Sequence, residues 1–145
     1  MIEIRDFHPS DAFAIELRPE DSERAVIRDS REWKDIVDKS VAYTLLCDDE
    51  ILCCGGVCFY RKQFGEAWIL CSRKAEEHPV ATVRATKRMI DGIMKSHDMY
   101  RIQATVRCDW PEARKFIKLL GFQWEGTLRR YGPDGSDYQM YSRIT

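Results

Sequence analysis

Tyr100–Phe122, YRIQATVRCDWPEARKFIKLLGF, reads as a strand, a short turn, a helix and an abrupt stop. Ile102, Thr105 and Val106 are β-branched and suit a strand over Arg101–Arg107. Asp109 offers a carboxylate as N-cap, Pro111 falls in the first turn, and Glu112 completes an Asp-x-x-Glu capping pattern. Ala113, Phe116, Ile117 and Leu120 then share one helical stripe. Gly121 suits the left-handed position after a helix end, and Phe122 the apolar residue that packs back on it.

Outward from this unit, the pattern continues in both directions. Downstream, Gln123–Arg130 and Tyr138–Arg143 read as two strands joined around Gly132-Pro133-Asp134-Gly135. Upstream, Pro79 opens a helix to about Lys95, with Val83, Ile90 and Ile93 inward. Arg84, Lys87, Arg88, Asp91 and Lys95 face outward on it. Glu66–Cys71 reads as a strand, and Val41–Cys47 and Ile51–Tyr60 as a hairpin turned at Asp48-Asp49-Glu50. Ile2 and Ile4 alternate with Glu3 and Arg5 in a first strand. Helices are expected near Ala12–Leu17, Pro19–Asp29 and Ser30–Lys39, the last with Trp33, Ile36 and Val37 inward. A mixed sheet flanked by helices follows from that order.

Composition narrows the function classes. A chain of 145 residues is expected to form one domain over 1–145 with a sizeable core. A net charge of −1 argues against a dedicated nucleic-acid binder, which would carry a basic stripe. No apolar run reaches membrane-spanning length, and Met1–Phe7 lacks the features of a signal peptide, so a soluble, cytoplasmic protein is expected. The six cysteines form no Cys-x-x-Cys, and His8, His78 and His97 are scattered. Buried thiols are the reading, with no metal site.

A polar turn, Ala113 near the helix start and Leu120-Gly121-Phe122 at its end resemble the last helix of GNAT-superfamily N-acetyltransferases. The order β, helices, β-β, β, α, β, α, β, β resembles the GNAT fold over essentially the whole chain. That resemblance implies an α/β fold, a central mixed sheet of six to seven strands with flanking helices. A glycine-poor cofactor loop, an Arg-rich helix and the tail Tyr131-Gly132-Pro133-Asp134-Gly135 look most like small GNAT-like proteins of tailed bacteriophages.

The resemblance also implies a site. Acetyl-CoA would lie between the fourth and fifth strands, Glu66–Cys71 and Arg101–Arg107, against Leu70 and Cys71. Its pyrophosphate would sit at the N-terminus of the following helix, where free N–H groups and the dipole favour an anion. The family's Arg/Gln-x-x-Gly-x-Gly/Ala loop is replaced here by SRKAEEHP over Ser72–Pro79 and ATVRATK over Ala81–Lys87. Arg84-Ala85-Thr86 is the nearest match, and Arg73, Lys74 and Arg84 can supply phosphate contacts by charge. The structural alternative is a solvated helix face of Arg84, Lys87 and Arg88.

At the positions where the family places a thiolate-protonating Tyr and a nearby Asn stand Ile117 and Trp110, neither of them an acid. Tyr131 or Tyr141 could substitute. Glu66 and His78 are candidate general bases, with ordinary surface roles as the alternative. The resulting expectation is an acetyl-CoA-dependent N-acetyltransferase acting on an amine of a protein or small molecule. Its alternative is a non-catalytic GNAT-like phage protein with a virion-assembly or host-interaction role. Either is compatible with a homodimer or with a phage or host protein partner, in the host cytoplasm or the virion.

Overall fold

The computed structural model describes residues 2–16 and 32–145. The expected helix near Pro19–Asp29 lies outside the described residues, as do the first residues of the Ser30–Lys39 helix. Seven strands form one mixed sheet: β1 (Ile2–Asp6), β2 (Ser40–Cys47), β3 (Glu50–Arg61), β4 (Phe64–Cys71), β5 (Arg101–Arg107), β6 (Gln123–Leu128) and β7 (Tyr138–Ile144). Their spatial order is β1-β2-β3-β4-β5-β7-β6. Among the described residues four α-helices flank it: α1 (Pro9–Ala14), α2 (Glu32–Asp38), α3 (Pro79–Ser96) and α4 (Pro111–Leu119).

Each face of the sheet has its own core. On one, Ile90 and Ile93 of α3, Ile117 of α4 and Leu120 at its C-cap pack on Leu45, Val57, Ile102 and Val106. On the other, Trp33 of α2 and Ala12 of α1 pack on Cys54 and Leu70. Trp33 meets Trp68 edge-on at 5.1 Å, and Phe7 closes the cluster against Trp68 at 5.4 Å. The α1 helix is tied down by charge. Arg5 donates twice to Asp11, at 2.8 and 2.9 Å, and the Thr44 hydroxyl donates to it at 2.7 Å. Burial would raise the Asp11 carboxyl, but Arg5, the His8 N–H and Thr44 outweigh it and hold it at about 2.

Two local expectations meet different fates. Asp109 is not the cap of α4: Trp110 holds that position, with no side-chain capping bond. The Asp109 carboxylate instead accepts from Arg107 at 3.0 and 3.2 Å. A charge-assisted two-bond partner on the adjacent strand outcompetes lone N–H groups. The helix stop is as read. Gly121 has φ +92°, with Phe122 N–H on the Ile117 carbonyl at 3.3 Å and Gly121 N–H on Lys118 at 3.0 Å. These two bonds are a Schellman closure.

Gly121→Val isolates the cost of that conformation, because an added Cβ would meet only the Arg143 side chain, no nearer than 3.6 Å. A loss of about 1–2 kcal/mol is expected from backbone strain. Thermal unfolding of the variant at the wild-type midpoint would refute it.

Candidate functional site

The fourth and fifth strands are neighbours and parallel, but for three residues only. Phe64↔Arg101, Gly65↔Ile102 and Glu66↔Gln103 pair, and there the ladder stops although both strands continue. The backbone edge of Ala67–Cys71 is left without β5 as its ladder partner. Into the resulting wedge opens a cavity of about 560 Å³. Ala67, Ile69 and Cys71 line it from β4, and Ala104 and Val106 from β5. Thr82, Val83 and Thr86 of α3 and Ala113 and Ile117 of α4 enclose the other side.

Thr82 and Thr86 are the unusual members of that lining. They are 3% and 2% exposed, one helical turn apart, and neither Oγ1 has a hydrogen-bond partner. Thr86 sits beside the buried Cys53 thiol, which pairs across β3–β4 with Cys71. The neighbouring Cys71 and burial push the Cys53 thiol up. A buried orphan hydroxyl costs about 1–3 kcal/mol. Both residues lie on the lining of one largely apolar cleft, with their hydroxyl oxygens buried away from its open space.

At the outer end of β4, the connection to α3 is a 3-10 turn, Arg73–Glu77. The first turn of α3 is Pro79, Val80 and Ala81, so N–H groups of Val80 and Ala81 face outward without helical acceptors. No glycine opens that turn, and side chains stand where a close approach would need none. Arg73 is engaged by Glu16 at 3.6 Å, and Lys74 by Glu77 at 3.0 Å and Glu50 at 3.3 Å. Arg84 is exposed and makes no ion pair among the described residues. Glu76 and Glu112 stand on the cavity lining.

The proposed site residues therefore divide. Cys71 and Thr86 line the cleft. Leu70 turns its side chain into the opposite core and is not on the cavity lining. Ala85 is buried in the α3 core layer. His78 is half-buried at the junction of the 3-10 turn and α3, at the far end of β4 from Glu66.

Glu66 and Tyr131 come together on the α1–α2 face. Glu66 is the last paired residue before the splay. Its Oε1 accepts from Tyr60 at 3.0 Å and from Gln103 at 3.2 Å. Tyr131 lies near Thr105, itself a lining residue of the cleft, and meets Tyr138 edge-on at 5.4 Å. Burial and then the Glu66 charge push both the Tyr60 and Tyr131 phenols up. The wedge thus connects the two faces: Thr105 and Trp68, whose side chains point to the α1–α2 face, line the same cavity.

Several of these residues escape the sequence patterns. Thr82 had a signal, a hydroxyl that breaks the apolar stripe of α3 one turn from Thr86. Tyr60 and Gln103 had none, because they reach Glu66 only through strand pairing.

No family model matches the chain, and no curated protein matches it in sequence. Solved structures share its architecture. Ard1 from Thermoplasma volcanium superposes with a TM-score of 0.74 at 19% identity, covering 99% of this chain and 97% of the other. A GNAT-family acetyltransferase from Bacillus anthracis gives 0.74 at 17% identity, over 99% and 94%. IAA acetyltransferase from Bacillus cereus gives 0.75 at 9% identity, over the full length of both chains. The fold is the GNAT fold.

Proposed function

We propose that the chain is an N-acyltransferase that uses acetyl-CoA on an amine of a small molecule or protein. The observation that carries this reading is the early end of the β4–β5 ladder, which leaves a cavity of about 560 Å³ between the two strands. The wedge fits a pantetheine arm, since the edge of β4 that β5 leaves can bond its amides. Val80 and Ala81 N–H groups and the Arg84 guanidinium are the groups left to hold phosphates. When bound, acetyl-CoA would supply an activated thioester. Glu66, at the vertex of the splay, would accept the proton of the incoming amine, and Tyr131 would stay protonated beside it. His78, at the phosphate end, would serve in binding rather than as a base. A cytoplasmic site of action goes with this reading.

The test is calorimetric titration with acetyl-CoA. Arg84→Ala should weaken binding by about tenfold or more, the worth of a charge-assisted phosphate contact. Arg88→Ala, one turn further along α3, should matter less. Equal effects would place the phosphates elsewhere.

A second reading is favoured by the buried Ile117 and the glycine-free first turn of α3. It is a GNAT-fold protein without turnover, with a virion-assembly or host-interaction role. Absence of acetyl-CoA binding at millimolar concentration would leave this second reading.

A further inference from the structure

We propose that Cys53 and Cys71 are a dithiol that a peroxide converts reversibly to a cross-strand disulfide, Cys71 taking the oxidant from the β4–β5 cleft and Cys53 closing the bridge. All six cysteines are thiols. Cys53 of β3 and Cys71 of β4 stand directly opposite each other in the antiparallel ladder. Beside them, the Ser72 N–H donates to the Leu52 carbonyl at 2.8 Å. Cys53–Cys71 is therefore a non-hydrogen-bonded pair, the class in which opposed Cα atoms lie about 4.5 Å apart and side chains come closest. A disulfide spans Cα separations of about 4.4–6.8 Å, so the bridge can form with little movement of either strand.

The other cysteines are badly placed for Cys71. Cys54 turns into the opposite core with Leu70. Cys47 ends β2, and β3 lies between β2 and β4. Two strand spacings are roughly 9.6 Å, beyond the reach of a disulfide. Cys58 stands further along β3 opposite Glu66, and Cys108 follows β5.

The two thiols differ in access. Cys53 is 1% exposed, whereas Cys71 is half-buried and lines the cavity. A small oxidant in the cleft therefore meets Cys71. Because the Cys53 thiol is pushed up, it holds its proton while Cys71 reacts. The Cys71 sulfur attacks one peroxide oxygen, the O–O bond breaks, and a sulfenic acid forms as water leaves with the thiol proton. The Cys53 sulfur then attacks the oxidised one. The S–S bond forms, the S–O bond breaks, and hydroxide departs with the Cys53 proton as a second water. The thiol pair has lost two electrons to the peroxide. Thr86, beside Cys53 and with its buried hydroxyl lacking a hydrogen-bond partner, can donate to the thiolate that arises there in passing. A ligand that fills the wedge covers Cys71, so occupancy of the cleft controls the oxidation.

The test is treatment of the folded protein with hydrogen peroxide, first without cofactor, then alkylation in denaturant and mass spectrometry. The wild type should lose two alkylatable thiols, and dithiothreitol should restore them. Fragmentation of the linked peptides should place the bridge between Cys53 and Cys71, and Cys54→Ala should keep it. Cys53→Ala should lose the bridge and carry sulfenic or sulfinic acid at Cys71. In Cys71→Ala, Cys53 should stay a thiol. Circular dichroism shows which variants are folded, and the mapping of the wild-type bridge stands without them. Retention of all thiols, a bridge to any other cysteine, or oxidation of Cys53 in folded Cys71→Ala overturns the inference. Acetyl-CoA, with its binding followed by calorimetry, should slow the loss of thiols. An unchanged rate with acetyl-CoA bound overturns entry from the cleft. A bridge formed in a protein that binds no acetyl-CoA would keep the dithiol and sink the acyltransferase reading.

Discussion

Gly56→Ala is expected to destabilise the protein by about 3 kcal/mol or more, the largest stability loss anticipated from a single methyl group. Gly56 pairs with Ala42 of β2 and with Trp68 of β4. A Cβ built there would lie 2.0 Å from the Val41 carbonyl oxygen and 2.6 Å from the Ala42 Cα. Both are backbone atoms, so no side-chain rotation can make room. Relief requires β2 to shift away from β3. That shift would move Thr44, which holds Asp11 and with it α1. It would also disturb the cleft, since Gly56 lines it.

A melting point lower by roughly 6–12 °C should accompany the change, together with weaker acetyl-CoA binding. Gly92→Ala is the control: it lies in α3, an added Cβ meets nothing within 4 Å, and it should be neutral or stabilising by up to about 1 kcal/mol. A Gly56→Ala variant melting with the wild type would mean that the β2–β3 contact is looser than described.

The contrast between Gly121 and Gly56 shows what the sequence can disclose. Gly121 sits where an apolar stripe ends, so its left-handed role follows from residues within one turn of it. Gly55-Gly56 sit inside a strand, and their reason is across the sheet: a Cβ on Gly55 would lie 2.4 Å from the Trp68 carbonyl oxygen. Local pattern carries no such information. Asp109 fails as a cap for a related reason, since its competitor Arg107 is supplied by the strand before it. The pairing of β4 with β5 and the space between them were legible because they follow from element order, connection length and the family resemblance. Within the site, Thr86 was within reach of motif matching, while the Tyr60–Glu66–Gln103 arrangement depends on the register Glu66↔Gln103 and Cys58↔Glu66. Charge was the least legible of all. Arg73, Lys74 and Arg84 look alike in sequence, and the fold gives acidic partners to the first two.

Ile117→Tyr is expected to raise acetyl transfer by at least tenfold, and by up to about a hundredfold if the hydroxyl is well placed. The apolar stripe of α4 and its C-cap, Ala113, Phe116, Ile117 and Leu120, lines the cleft and has no proton to give. The only acid of α4 on the lining is Glu112 in its first turn. Ile117 is 7% exposed and lines the cavity at the position where the resemblance puts the acid. The other phenols are poorly placed. Tyr131 stands on the opposite face beside Glu66, and Tyr141 donates its proton to Gln139 at 2.5 Å while burial pushes its phenol up.

A thiolate leaving without a proton donor is slow to form, so wild-type turnover should fall below about 1 s⁻¹, the lower edge of ordinary enzymes. The larger ring can enter the cavity, although overpacking of about 1–3 kcal/mol is the expected cost in stability. Ile117→Phe separates the two effects, as it adds the ring without the hydroxyl. Transfer should rise in the tyrosine variant alone, with acetyl-CoA affinity similar in both. An equal rise in Ile117→Phe would show that shape, not acidity, limits the reaction. Wild-type turnover already in the ordinary range would show that another group, such as Tyr131 or a water molecule, protonates the thiolate.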